Sequence, residues 1–273
     1  MQLPAISDDQ GLFSVLAFDE VSQLSQLLQL DLSLADNLEF LNQVLVLLLE
    51  LSPEVSALVL DPIYTLPLIT HKTADQGVLL RINTHQAVAA EQLPALFPHF
   101  SLPEVKNNYA LAKLDLNYIV DDQQAIEKLQ LLAEIHDYCQ TLGIDFLLKL
   151  TGPFTSEEQL LATLQQVRSL TDIVVLNQID NPLLAATITS ELDIPWLLSA
   201  NLGQDLDYEQ FKNQLRLAMD NGAKGYYLGN FLWADLAQAR QAEQTFDWQQ
   251  MQQLLRTTIR DRVIELGRII SRS

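Results

Sequence analysis

Short apolar runs alternate along the chain with longer amphipathic stretches. Each run is about as long as a strand that is buried on both faces of a parallel sheet. The stretches between them place apolar residues at the i, i+3, i+4 and i+7 spacing of a helix that covers a sheet, most clearly over Gln123–Leu142 and Glu157–Leu170. The eight predicted strands are Phe13–Asp19, Ala57–Pro62, Val78–Asn83, Leu111–Asn117, Phe146–Thr151, Ile173–Gln178, Trp196–Asn201 and Tyr226–Asn230.

The spacing of these runs predicts an α/β fold, a single (β/α)8 TIM barrel. The chain has 273 residues, and barrels of this type typically take about 250. A doubly wound sheet that carries a dinucleotide would need a glycine-rich turn, and the sequence has no G-x-G-x-x-G motif. No linker or shift of composition divides the chain. We therefore expect one domain over residues 1–273, ending in a helical tail at about 247–273.

Composition and charge exclude several classes of function. The chain is 48% hydrophobic, which is ample for a core, and its 16 basic and 35 acidic residues give a net charge of −19. That charge argues against nucleic-acid and membrane-surface partners. With Cys139 as the single cysteine and no histidine spacing typical of metal ligands, we expect no metal and no cofactor. No secretory signal or membrane-spanning run is visible, so we expect a cytoplasmic protein. The sequence leaves open a small-molecule ligand and further copies of the same chain as its partners.

Two lysines interrupt strands that should be buried. In a barrel, function lies at the C-terminal ends of the strands, where Lys113 and Lys149 are predicted to lie. A buried lysine is costly unless it is paired or functional, and Asp19, Asp61 and Asp115 are its natural partners here. Lys113, Lys149 and Asp19 are therefore candidate catalytic residues, with a lysine as Schiff-base amine or general acid/base. A structural ion pair inside the barrel explains the same pattern, and the spacing leaves both interpretations open.

Polar residues at the other strand ends are candidates for substrate binding. Asp61 is one, although its position before Pro62 suits a turn equally well. Ser199 has no G-x-S-x-G context, so we expect a binding role for it rather than a nucleophilic one. The remaining candidates are Asn177, Asn201, Gly229 and Asn230.

Several of these strand ends match one family pattern in the same order. D-Q-R-G-S-L aligns with Asp19–Leu24, L-D-P-x-Y-G with Leu60–Thr65, and a strand-four lysine with Lys113. P-W-v-x-L-S-A-G aligns with Pro195–Asn201, and G-A-x-G-x-x-x-G-R-x-x-W with Gly222–Trp233. Over nearly its whole length the chain thus resembles the class I aldolase family of tagatose-1,6-bisphosphate aldolases and their sulfofructose-phosphate aldolase relatives. The resemblance implies a TIM barrel and a lyase of carbohydrate metabolism.

By this resemblance, the sequence lacks the family's Schiff-base lysine. The resemblance implies that lysine on strand six, in a segment like D-V-L-K-V-E-x-P, which here reads Asp172–Ile179 with Val175 in place of the lysine. A valine cannot form an imine. No lysine occurs between Lys149 and Lys212, so no shift of the alignment supplies one.

Other family residues have changed as well. The strand-five glutamate, which the resemblance implies for proton transfer, aligns with Lys149, and the strand-seven glycine aligns with Asn201. The arginine and glycine of the first motif are Val21 and Ser22, and the phosphate-binding arginine after strand eight is Asn230. A bisphosphate needs such cations, so we expect the family's substrate to bind poorly.

Two hypotheses follow. The one we favour is a catalytically degenerate aldolase relative, a pseudoenzyme that serves as a binding or regulatory protein. The alternative is a lyase in which Lys149 or Lys113 forms the Schiff base with a carbonyl substrate that carries little or no phosphate.

Overall fold

Eight parallel strands close into a barrel in chain order. The computed structural model describes residues 3, 5–71, 76–84, 92–152, 154–177, 179–201, 206–241 and 245–272. The strands are Phe13–Ala17 (β1), Ala57–Leu60 (β2), Gly77–Arg81 (β3), Leu111–Leu116 (β4), Phe146–Leu150 (β5), Ile173–Asn177 (β6), Trp196–Ala200 (β7) and Gly225–Leu228 (β8). Each coincides with one predicted apolar run, and the prediction of a TIM barrel is confirmed.

Helices follow the strands and cover the outside of the barrel. They are Val21–Leu27 (α1), Ala35–Leu48 (α2), Leu102–Asn107 (α3), Ala125–Leu142 (α4), Glu157–Val167 (α5), Pro182–Glu191 (α6), Tyr208–Asp220 (α7), Trp248–Leu254 (α8) and Arg260–Ile270 (α9). The Ser156 hydroxyl caps α5, and Gly143 ends α4 in the left-handed conformation. Before α4 begins, the Asp122 carboxylate closes a turn by accepting a hydrogen bond from the backbone N–H of Gln124.

Strand alternation divides the core into two layers. Outward side chains pack against the helices, where both Trp196 and Trp233 are buried. Inward side chains fill the barrel with branched residues, as is usual for this fold. This inner layer includes Val15, Val59, Leu79, Leu147, Ile173, Val175 and Leu197. The lower and middle barrel is therefore solid, and chemistry is confined to its C-terminal mouth.

The last helices pack back onto the segment that precedes β2. A π-helical turn, Leu255–Ile259, joins α8 to α9. Arg256 and Arg260 pair with Glu50 and Glu54 at 2.9 and 2.5 Å, with about half of each arginine side chain exposed. Exposed pairs of this kind add little stability. This C-terminal segment is held against the barrel mainly by its buried apolar side chains, including Leu255 and Ile259 of the π-helical turn.

Candidate functional site

Charged side chains from separate strands converge inside the barrel mouth. Lys113 and Asp115 lie two residues apart on β4, so strand alternation turns both inward. The backbone register sets Arg81 of β3 beside Lys113, and Lys149 of β5 beside Asp115. Asp19 follows β1 and lies wholly buried among them. The structure thus brings together all three predicted catalytic residues.

Lys113 is held between two carboxylates. Its Nζ lies 2.6 Å from Asp19 Oδ2 and 2.6 Å from Asp115 Oδ2, and neither the Lys113 nor the Asp19 side chain is exposed. Arg81 contacts the same two carboxylates, at 3.8 and 3.1 Å. Two cations and two anions therefore neutralise one another in the interior, where an isolated charge would be strongly destabilising.

The two carboxylates stay ionised in this setting. Burial opposes the charge of Asp19 and of Asp115, but Lys113 and Arg81 outweigh burial and lower both pKa values. The pKa of Arg81 is raised for the reciprocal reason, since Asp115 and Asp19 outweigh its own burial. A cluster that holds its charges in this way fits the structural interpretation of Lys113.

Lys149 forms a second pair, with Glu20. Its Nζ lies 2.7 Å from Glu20 Oε1, and the two side chains are only 4% and 10% exposed. Burial lowers the pKa of Lys149, but the Glu20 and Asp115 carboxylates outweigh burial and raise it above its ordinary value. An amine must be neutral to attack a carbonyl. The pairing therefore favours a structural ion pair over a Schiff-base amine.

Tyr227 of β8 connects the two pairs. Its ring centroid lies 5.7 Å from Lys113 Nζ and 4.9 Å from Lys149 Nζ, and its hydroxyl lies 3.4 Å from Asp19 Oδ1. Burial and the surrounding carboxylates raise its pKa well above the usual value, so the phenol is neutral. The negative face of the ring is where cations bind.

Sequence reasoning missed Arg81, Glu20 and Tyr227. Arg81 interrupts a predicted strand just as the two lysines do, and Glu20 directly follows Asp19, so both carried a readable signal. Tyr227 lies in an apolar run and carried none, because an aromatic residue there is ordinarily core.

Val175 takes the place on β6 that the resemblance assigns to the Schiff-base lysine. It is wholly buried in the apolar layer inside the barrel. Its register neighbours are Lys149 on β5 and Leu197 on β7. Among the lysines in the described ranges, only Lys113 and Lys149 lie on barrel strands.

Asn230 and Gly229 fix the end of β8 to the segment after β1. Asn230 donates from Nδ2 to the Glu20 carbonyl at 2.9 Å and accepts at 2.9 Å from Trp233 Nε1. A Cβ on Gly229 would lie 3.1 Å from both the Ala17 carbonyl oxygen and Glu20 Oε2, so glycine lets that carboxylate approach. These contacts are structural, whereas the predicted substrate-binding roles of Asn230 and Gly229 stay predictions.

Asp61 forms a turn at the end of β2. It is buried, and its Oδ1 accepts hydrogen bonds from the backbone N–H groups of Ile63 at 2.7 Å and Tyr64 at 2.8 Å. Of the two interpretations that the sequence allowed, this geometry favours the turn.

An open cavity of about 560 Å³ lies at the other side of the mouth. It is formed by the ends of β5, β6 and β7 and the starts of α5 and α6, and both Asn177 and Asn201 line it. Asn177 pairs in register with Ser199. Asn177 Oδ1 and Ser199 Oγ are buried without a hydrogen-bond partner among the described residues. A larger cavity, about 650 Å³, lies at the opposite end of the barrel near Phe13 and Trp196.

The described residues form neither a metal-binding cluster nor a membrane-spanning helix. In those ranges no three His, Cys, Asp or Glu side chains are grouped as a metal ion would require. None of the helices placed there has both the length and the apolar character needed to cross a bilayer.

No protein-family model matches the chain. It is 28% identical over 151 residues to tagatose 1,6-diphosphate aldolase 1 of Streptococcus mutans, covering 53% of this chain and 46% of that protein. It is 31% identical over 150 residues to tagatose 1,6-diphosphate aldolase of Staphylococcus epidermidis, covering 53% and 46%. The match thus spans about half the length of these curated relatives.

Solved structures with the same architecture match almost the whole chain. An archaeal fructose 1,6-bisphosphate aldolase superposes with a TM-score of 0.67 at 14% identity, covering 98% of this chain and 97% of the other. A second archaeal structure, with its catalytic lysine covalently bound to the carbinolamine intermediate of the substrate, gives 0.69 at 13% identity, covering 97% and 96%. At such low identity these superpositions establish the fold.

Proposed function

We propose that this chain, an aldolase-like TIM barrel related to the tagatose 1,6-diphosphate aldolases, is a catalytically degenerate relative of those enzymes. In this proposal it binds a small molecule, in a binding or regulatory role, and does not cleave a sugar bisphosphate through a Schiff base. The observation that carries the proposal is the apolar Val175 on β6, together with the ion pairing of both lysines on the barrel strands.

Imine chemistry needs a neutral amine that can reach the substrate. The amine nitrogen attacks the carbonyl carbon, and the resulting carbinolamine takes up a proton and loses water to give the iminium. Val175 has no nitrogen to offer. Lys113 is wholly buried between Asp19 and Asp115. Lys149 is charged and bonded to Glu20, so that carboxylate would first have to leave.

The mouth also offers little to a bisphosphate. Its three cations, Arg81, Lys113 and Lys149, already contact the carboxylates of Asp19, Asp115 and Glu20. A phosphate would have to compete with these buried, short-range pairs. Asn230, which replaces the family's arginine, uses its amide to hold Glu20 and Trp233.

The competing candidate is a lyase that uses Lys149. One observation favours it: Lys149 lies beside Val175 in the register, with the Glu20 carboxylate 2.7 Å from its Nζ and so within reach for proton transfer. If a substrate drew Glu20 away, the amine could lose its proton and act. Lys113 is the weaker choice, since two carboxylates enclose it.

Borohydride trapping distinguishes the two candidates. The chain is incubated with tagatose and fructose 1,6-bisphosphates and with a panel of unphosphorylated aldehydes and ketones, reduced, and mapped by mass spectrometry. We expect neither a lysine adduct nor retro-aldol products. The control variants are Lys149→Met, Lys113→Met and the exposed Lys106→Met. An adduct that disappears in Lys149→Met but persists in Lys106→Met would overturn the proposal in favour of the lyase.

A further inference from the structure

We propose that the cavity at the ends of β5, β6 and β7 binds an uncharged polyhydroxylated ligand, an unphosphorylated monosaccharide or sugar alcohol. This rests on the proposed function, in which the ligand is held rather than cleaved, and it names the ligand's chemical class. The cavity volume of about 560 Å³ falls within the 300–1,000 Å³ typical of small-molecule sites.

Two polar atoms on this side of the mouth are buried without a hydrogen-bond partner among the described residues. Asn177 lines the cavity, and its buried Oδ1 has no hydrogen-bond partner among the described residues. Ser199 Oγ, on the neighbouring strand and in register with Asn177, is also unpartnered. A buried polar atom without a partner destabilises the fold, and a ligand that supplies the missing hydrogen bond at Asn177 removes that penalty. A hydroxyl of a ligand in the cavity can donate to Asn177 Oδ1.

The charges on the cavity wall select against phosphate. Glu157 and Asp180 contribute carboxylates, and the lining has no lysine or arginine among the described residues. Glu157 is fixed in place, since its Oε1 accepts a hydrogen bond from Asn181 Nδ2 at 2.7 Å. A phosphate here would meet two like charges and no cation, whereas a hydroxyl can donate to either carboxylate.

The rest of the wall suits the faces of a sugar. The amides of Asn177 and Asn201 and the hydroxyl of Thr151 can each donate and accept, as sugar hydroxyls also do. An ammonium group only donates, so an organic cation would leave the amide and hydroxyl donors without acceptors. Apolar side chains complete the wall and can cover the C–H face of a ring. They are Leu150, Phe154, Leu160, Ile179 and Leu184.

The test is reversible binding to the full chain, measured by calorimetry and by saturation-transfer NMR. The probes are a panel of neutral hexoses and hexitols that includes D-fructose and D-tagatose, with fructose 1,6-bisphosphate and spermidine as charged probes. We expect at least one neutral probe to bind saturably and the two charged probes to bind more weakly. We expect Asn177→Ala to lower the affinity of the protein for that neutral probe about tenfold, because hydrogen bonds to the ligand are lost. The exposed Asn213→Ala is the matched control, and Asn201→Ala serves as the second variant if Asn177→Ala does not fold.

Removing the carboxylate tests the charge argument separately. Asp180→Asn removes one of the two like charges but keeps an acceptor oxygen, so affinity for the bisphosphate should rise relative to affinity for the neutral ligand. The inference is overturned if no neutral probe binds, if spermidine or the bisphosphate binds in preference, or if Asn177→Ala and Asn201→Ala bind like the wild type. An imine trapped at Lys149 would overturn the proposed function and leave this result standing, while failure of neutral binding in a chain that forms no imine would overturn this inference alone.

Discussion

Lys149 Nζ lies 2.7 Å from Glu20 Oε1 and joins opposite walls of the barrel. Glu20 follows β1 and Lys149 lies on β5, which is four strands away in either direction around the closed sheet. Lys113 on β4 forms a similar ion pair across the mouth with Asp19, which follows β1. The two ion pairs fill the centre of the mouth, and the open cavity is displaced towards the ends of β5, β6 and β7.

The first prediction concerns the stability that Lys113 provides. Lys113→Met would leave Asp19 and Asp115 facing each other with Arg81 as the remaining cation in contact with both. We expect the free energy of unfolding to fall by about 3–5 kcal/mol, the usual loss when one partner of a buried pair is removed. Urea denaturation followed by circular dichroism measures the change.

The exposed Lys106→Met is the control for this substitution. It should change the free energy of unfolding by less than about 0.5 kcal/mol, as is typical of surface positions. Equal effects of the two variants would contradict the structural role of Lys113.

The second prediction is the dependence of stability on pH. The pKa values of Asp19 and Asp115 are lower in the folded chain than their usual 3.8, so their contribution is complete above that pH and lost as the pH falls further. The pKa of Lys149 is raised above 10.5, so its contribution is complete below that pH and lost as the pH rises through the folded value. Unfolding free energies measured from pH 3 to 11 should therefore fall at both ends.

The variant Lys113→Met distinguishes the contribution of Asp19 to stability at low pH from that of the other carboxylates. In Lys113→Met the main attraction that lowers the pKa of Asp19 is gone, while burial, which raises it, persists. The acidic fall in stability should therefore be smaller in Lys113→Met than in the wild type. If stability fell equally at low pH in Lys113→Met and in the wild type, other carboxylates would be responsible for the fall.

The third prediction restores an amine on β6. In Val175→Lys the new side chain would lie in the barrel interior beside Lys149. Burial and a like charge both disfavour the ammonium form, so the introduced amine should be largely neutral. We expect a loss of about 1–3 kcal/mol from overpacking and a borohydride-trapped adduct with dihydroxyacetone at position 175.

Asn213→Lys, which adds a lysine to an exposed helical position, is the control for adduct formation. It should trap no more than the wild type. A folded Val175→Lys chain without an adduct would contradict the assignment of position 175 as the lost site of imine formation.

The fourth prediction contrasts two glycines. Gly225 has a φ of +146°, and a Cβ there would lie 1.8 Å from the Phe13 carbonyl oxygen of the neighbouring strand. We expect Gly225→Ala to lose more than about 3 kcal/mol or to fail to fold. Gly267, within α9, has open space around it, so Gly267→Ala should gain about 0.5–1 kcal/mol. Denaturation midpoints compare the two, and the opposite order would show that the β1–β8 contact is more tolerant than its geometry indicates.

The strands were predictable because burial on both faces leaves an uninterrupted apolar run. The same logic exposed Lys113 and Lys149 as exceptions and gave Asp19 and Asp115 as partners. It could not give Glu20 as the partner of Lys149, since a contact between β1 and β5 depends on how the barrel closes. The hydrogen bonds of Asn230 were equally hidden, because they depend on where the backbone after β1 passes β8.

The charges inside the barrel mouth cancel, so the net negative charge of the protein lies outside it. Arg81, Lys113 and Lys149 cancel Asp19, Glu20 and Asp115, so the net charge of −19 belongs entirely to the remainder of the chain. Its field reaches into solvent over about one Debye length, roughly 8 Å at physiological ionic strength. Diffusional encounter with phosphorylated metabolites is therefore slowed and should accelerate as salt is added. A neutral sugar associates at a rate that salt does not change. Low ionic strength therefore favours association of neutral sugars over phosphorylated ones.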